Sequence, residues 1–97
     1  MLGAGLILKI FTVDNMLEIA DCDYVTLDVS DDENGGFSGC YGIKKGHATA
    51  VISVREGNVT AQKNGETIFS AQTSSGLAMI KEDIIKLTVD KAQPKSF

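Results

Sequence analysis

The sequence contains no tryptophan, only two tyrosines and four phenylalanines, one histidine, one proline and two cysteines. Each scarcity removes a class of function. The cysteines, Cys22 and Cys40, form no CxxC pair, and two thiols do not make a disulfide framework, so reduced thiols in a cytosolic compartment fit best. Nucleic-acid binders carry basic stripes interleaved with aromatics. Here the nine basic residues are scattered among few rings, which argues against nucleic acid as a partner. No apolar run approaches the ~18 residues that read as a bilayer span, so direct membrane insertion is not expected and membrane association would run through another protein. The opening MLGAGLILKIF has no basic residues ahead of its apolar stretch and no small-residue cleavage site after it, and Lys9 interrupts it; it reads as a first β-strand, not a signal peptide.

What is present describes one compact domain. Chains divide only well above ~150 residues, and 97 residues with 43% apolar and 23% charged composition suffice for a core without disulfides or metal. We place the single domain at residues 1–97, with a core of about 6–92 and a tail, Gln93–Phe97, that is expected to fray around the lone Pro94. The net charge is −4 and is unevenly spread: the first 33 residues hold Lys9 against eight acids, a net −7, and the rest sums to +3.

Apolar and polar residues alternate with period 2. Val25, Leu27 and Val29 stand against Tyr24, Thr26 and Asp28, and Ala48, Ala50, Ile52 and Val54 against Thr49, Ser53 and Arg55. That is the pattern of strands with one buried face. Turn signals fall at Asp14-Asn15, Asn34-Gly35-Gly36, Glu56-Gly57-Asn58, Asn64-Gly65 and Lys81-Glu82-Asp83. Asn64-Gly65 is the most specific, because a type I′ turn needs positive φ at both central residues, and it should join Val59–Lys63 to Glu66–Ala71 as a hairpin. Ile80, Ile84 and Leu87 have helical spacing, but the β-branched Ile84, Ile85, Thr88 and Val89 also alternate, which favours a strand. The expectation is an all-β protein, a β-sandwich of about eight to ten short strands.

Catalytic chemistry has little to stand on. His47 and Cys40 lie seven residues apart in a turn-rich stretch with no third group to orient them, so a hydrogen-bonded structural His47 is favoured over a Cys–His pair. A calcium loop started at Ser30 would set Asp32, Asn34 and Gly35 in order, yet Tyr41 falls where a bidentate glutamate is needed, and a solvated acidic loop is the better reading of Asp28–Gly36. Asn58-Val59-Thr60 matches a glycosylation sequon, which in a cytosolic protein is only the start of a strand. Gly35, Gly36, Gly39, Gly42 and Gly46 lack the context of a phosphate cradle and read as turn glycines. No metal, cofactor or catalytic set is assigned.

Taken in order, LILKIFTVDNM, DCDYVTLDV, GCYGIKKGHATAVISVREGNVT and NGETIFSAQTSSGLAMIKEDIIKLTVDKA resemble the N-terminal β-sandwich domain of the F-type ATP synthase ε subunit, called δ in mitochondria. The most specific piece is Gly39, Cys40, Tyr41, Gly42-Ile43, Lys44-Lys45, Gly46-His47-Ala48. In the family those places read glycine, an acid, any residue, Gly-Ile, often Leu-Pro, then Gly-His-Ala. Glu56-Gly57-Asn58-Val59 resembles the family's turn before a strand, Ser75–Ile80 its Ser-Gly-Gly strand with one glycine lost, and Asp90-Lys91-Ala92 its junction into C-terminal helices. The resemblance spans about Leu6 to Ala92.

It implies a non-catalytic rotor subunit, peripheral to the membrane on its cytoplasmic side. Such a subunit packs against the γ subunit and meets the c-ring through loops at one end, coupling proton flow to ATP chemistry. Carried over by residue, the ring-facing loop would be Gly39, Cys40, Tyr41, Gly42, Ile43, Lys44, Lys45, Gly46 and His47. Three departures stand out: Lys44-Lys45 in place of Leu-Pro, Cys40 in place of an acid, and the inserted DVSDDENGGFS beside the ring-facing segment. The family's helical hairpin, which regulates hydrolysis, is not expected. A stand-alone interaction module with a diverged acidic loop is the second reading.

Overall fold

The structure is a computed structural model that describes residues 5–29 and 39–95. The acidic turn Asn34-Gly35-Gly36 and the calcium-like series from Ser30 lie outside the described residues. Ten strands follow in chain order: β1 (Leu6–Phe11), β2 (Met16–Cys22), β3 (Tyr24–Val29), β4 (Gly39–Lys44), β5 (Ala50–Val54), β6 (Gly57–Lys63), β7 (Glu66–Thr73), β8 (Gly76–Lys81), β9 (Ile84–Val89) and β10 (Ala92–Pro94). Among the described residues there is no helix. The period-2 pattern is what buries the core: Leu6, Leu8 and Ile10 of β1, Val25, Leu27 and Val29 of β3, and Ile85, Leu87 and Val89 of β9 all point inward. Ile84–Val89 is therefore a strand, as its β-branched residues indicate. One sequence boundary moves: Ala48 and Thr49 are exposed connection, and the fifth strand begins at Ala50.

The strands form one continuous hydrogen-bonded sheet in the order β10-β7-β6-β3-β5-β8-β9-β1-β2, with β4 on the other edge of β3. It folds over at β3. Along one edge of that strand, Tyr24–Thr26 pair with Gln62–Thr60 of β6, while Val29 pairs with Val54 of β5. Shared between two neighbours in this way, β3 divides the sheet into a layer β10-β7-β6-β3-β4 and a layer β5-β8-β9-β1-β2. The layers close on a single apolar cluster, with β1 opposite β3 and β2 opposite β6. All pairs are antiparallel except β1 with β9.

Close approach fills the space beside several glycines, two of them across strand pairs. A Cβ on Gly76 would lie 1.9 Å from the Thr88 carbonyl oxygen across the β8–β9 pair, and one on Gly42 would strike the Tyr24 ring. The tail departs from expectation. Ala92, Gln93 and Pro94 pair with Thr73, Gln72 and Ala71, and the Lys95 N–H donates to the Ser70 carbonyl, so Gln93–Lys95 are held and not frayed. Pro94 is tolerated because β10 is an edge strand, where a missing donor faces no neighbour.

Candidate partner-docking site

The segment expected as a ring-facing loop is mostly strand. Gly39–Lys44 is β4, paired along its length with β3, and only Lys45, Gly46 and His47 form the turn beyond it. Ile43 is fully buried and cannot meet a partner, whereas Cys40, Lys44, Lys45 and Gly46 are exposed. The described flanks of the acidic insert lie away from that turn. These flanks, Val29 and Gly39, pair with each other at one end of the β3–β4 hairpin, and the Lys45–His47 turn caps the opposite end, beside Tyr24.

That turn is fixed by three interactions. The His47 N–H donates to the Lys44 carbonyl at 3.2 Å, and Gly46 has φ +85°, which is the third-position geometry of a type II turn and needs glycine. The His47 ring bonds on both sides, with Nδ1 2.7 Å from the Ala48 carbonyl oxygen and Nε2 2.8 Å from the Tyr41 hydroxyl. A carbonyl only accepts, so Nδ1 carries the proton and, in the neutral ring, Nε2 accepts from Tyr41. Tyr41 meets the imidazole edge-on, at 5.8 Å and 71°, while packing against the core. His47 is thus a structural link, and Cys40, at the far end of β4, is no partner for it.

A third contact comes from a distant part of the chain. The Gly46 N–H donates to Asp83 Oδ1 at 2.7 Å, tying this turn to the β8–β9 turn. Nothing in the sequence announces a contact spanning 37 positions. The same end carries a second knot. Asp21 accepts from Gly5 N–H at 3.2 Å and from Lys63 Nζ at 2.5 Å, and Asp23 accepts from Asn64 N–H at 2.6 Å. The Lys63 hydrogen bond, then that of Gly5, holds the Asp21 carboxyl below its ordinary value, and Asp21 in turn raises Lys63. Burial, then the Asp21 and Asp23 charges, pushes the Cys22 thiol up. Over the tip itself, Tyr24, Gly42, Lys44, Lys45, Gly46 and His47 line a shallow open cleft, with Lys44 Nζ 6.0 Å from the Tyr24 ring centroid.

The two outer faces of the sandwich differ. On the layer with β3 and β6, the outward residues Thr26, Asn58, Thr60, Ser70 and Gln72 are polar, the Thr26 and Thr60 hydroxyls bond each other, and Ile68 is the exposed apolar exception. On the other layer the register aligns Val51, Met79, Lys86 and Lys9 in one row, and Leu77, Thr88, Phe11 and Met16 in the next. Val51 is 62% exposed, Leu77 54% and Met79 49%, where alternation predicts polar residues. With Phe11, Lys86 and Thr88 these side chains line an apolar groove. Sequence reasoning passed over this surface because in the continuous apolar runs Ala50–Ile52 and Leu77–Ile80 the outward residues cannot be told from the inward ones without the register. Among the described residues no His, Cys, Asp and Glu group is placed to hold a metal ion, and no helix is long and apolar enough to cross a membrane.

No protein-family model matches the chain, and no curated protein matches it in sequence. Solved structures do match in fold. A chain in the Euglena gracilis mitochondrial ATP synthase structure covering OSCP, F1 and the c-ring in rotational state 1 superposes with a TM-score of 0.77 at 18% identity, over 97% of this chain and 56% of that one. A chain in the Tetrahymena thermophila mitochondrial ATP synthase central stalk and c-ring structure gives a TM-score of 0.67 at 8% identity, over 90% of this chain and 64% of that one. The present chain therefore shares an all-β sandwich fold with chains solved inside ATP synthase assemblies, and it spans between half and two thirds of their lengths.

Proposed function

We propose that this chain is a non-catalytic subunit of the central stalk of a proton-translocating F-type ATP synthase, placed between a γ subunit and the c-ring and peripheral to the membrane. The observation that carries this reading is the superposition along nearly the whole chain onto a chain from a solved ATP synthase, although identity is only 18%. It is supported by the Gly42-Ile43 and Gly46-His47-Ala48 matches, which lie on one strand and its turn at one end of the sandwich.

The roles divide by surface. The γ subunit seats on the apolar face around Val51, Leu77 and Met79, because that face gathers three exposed apolar side chains to bury on docking, while the opposite face is polar apart from Ile68. Lys86 borders that groove after Met79, and Lys9 beyond it stands opposite Glu18, so Lys86 favours a partner that offers a carboxylate at a matching position. The Lys44–His47 turn faces the c-ring, and its lysine pair calls for an acidic or polar ring loop where the resembled family's Leu-Pro would meet an apolar one. Rotation is then transmitted by rigidity: torque requires an interface that does not slip, not a reactive group.

Leu77→Asp tests the γ-facing surface. The outward position should keep stability within ~0.5 kcal/mol, while association with purified γ falls at least roughly tenfold, since a buried unpaired carboxylate is costly. Unchanged association would remove γ from this face. Lys44 and Lys45, exposed where the family is apolar, also favour a stand-alone interaction module; a native pull-down that returned one defined partner and no synthase subunits would decide for it.

A further inference from the structure

Among the described residues there are two type I′ hairpin turns, and they are built differently. Between β6 and β7 the chain uses Asn64-Gly65, with φ 54° and 79°, the pair that reaches this geometry at least cost. Between β8 and β9 it uses Glu82-Asp83, with φ 52° and 65°, two residues that pay a steric penalty in the left-handed region. Backbone strain persists where surrounding contacts over-determine it. At Asp83 those contacts are explicit: its carbonyl accepts the Ile7 N–H at 2.9 Å as β1 begins, and its carboxylate accepts the Gly46 N–H at 2.7 Å. An Asn-Gly pair here would remove the strain but place no carboxylate on Gly46.

The turn that receives this bond lacks another support. Proline is favoured at the second position of a type II turn because its ring pre-sets φ, and Lys45 occupies that position. The Lys44–His47 bond and the His47 ring contacts hold the two ends of the turn, and at its centre, where Lys45 has no proline-like restraint, the Gly46 N–H is held by Asp83. We propose that Asp83 is a positioning residue that sets the partner-facing turn from across the sandwich, and that Glu82-Asp83 retains its strain for this purpose. The turn-holding role stands on the geometry; the docking role rests on the stalk reading above.

Amide hydrogen exchange at Gly46 and reconstitution of the full chain onto ATP synthase depleted of it test the two parts separately. Asp83→Gly relieves φ and removes the carboxylate: Gly46 exchange should accelerate roughly tenfold or more and docking weaken by a similar factor, as expected for losing one charge-assisted hydrogen bond. Replacing Glu82-Asp83 by Asn-Gly should raise the melting midpoint and still weaken docking, a split that a purely structural role would not give. Asp83→Asn keeps an acceptor and tolerates positive φ, so it should restore both readouts, and Lys45→Pro should rescue Asp83→Gly by fixing the turn locally. Unchanged Gly46 exchange in Asp83→Gly overturns the turn-holding role. Faster exchange with unchanged docking overturns the docking role while leaving the stalk reading intact. If the unmutated chain does not reconstitute at all, the stalk reading fails and the docking role with it, and Gly46 exchange still decides the turn-holding role.

Discussion

Asp21 and Lys63 hold the ends of β2 and β6 together, and their perturbed titration makes the link visible to pH. The Asp21 carboxyl is depressed in the fold, so its contribution is full above the ordinary value of 3.8 and is lost as pH falls through the lower folded value. Lys63 is raised, so its contribution is full below 10.5 and is lost as pH climbs through the higher folded value. Melting curves from pH 2 to 12 should therefore show Asp21→Asn lacking part of the acid-side and alkaline-side losses of the unmutated chain, the difference shrinking in high salt because the pair is exposed. The thiols give an independent check. Cys40 is exposed and should label at once, while Cys22, buried and with its thiol pushed up, should react only as the protein unfolds. Equal labelling rates in the folded state would contradict the packing of β2. Neither thiol's placement was legible from spacing, because Cys22 is buried by the fold-over of the sheet and Cys40 is exposed by an edge strand.

The hairpins and edges were legible to different degrees. Asn64-Gly65 announced its turn because the φ requirement belongs to the residues themselves, and the strands around it followed from alternation. The tail did not announce itself: Ala92–Pro94 is short, contains proline and has no periodicity, and its order comes from β7 and from the Lys95 bond to Ser70. Removing residues after Lys91 should therefore expose β7 as a free edge, accelerating amide exchange at the Thr73 and Ala71 end and promoting self-association. A truncated chain with unchanged exchange there would mean β10 adds nothing. Gly76→Ala belongs to the same argument. Its Cβ would fall 1.9 Å from a backbone carbonyl, which cannot rotate away, so the β8–β9 pair must shift at about 1–3 kcal/mol, read as a lower denaturant midpoint with unchanged m-value.

Across the whole chain, the sandwich was readable because its core obeys one rule, period 2 with β-branched residues inward, repeated along the sequence. The candidate site was readable only in part. Gly46 and His47 stood out as residues, but their turn is shaped by Asp83, and the apolar face at Val51, Leu77 and Met79 appears only when four strands are laid side by side. Interfaces of this kind are properties of register, which a linear pattern does not carry. The acidic first third, which at first only limited the class of protein, now has described flanks: Val29 and Gly39, on either side of the insert, pair at the end of the β3–β4 hairpin opposite the Lys45–His47 turn.

The most direct test of the stalk assignment is composition of the native assembly. ATP synthase purified through a tag on its c-ring or on F1, under conditions that keep the rotor intact, should contain this chain at one copy per complex, and its depletion should separate ATP hydrolysis from proton pumping. An intact, coupled synthase that contains none of this chain would contradict the account.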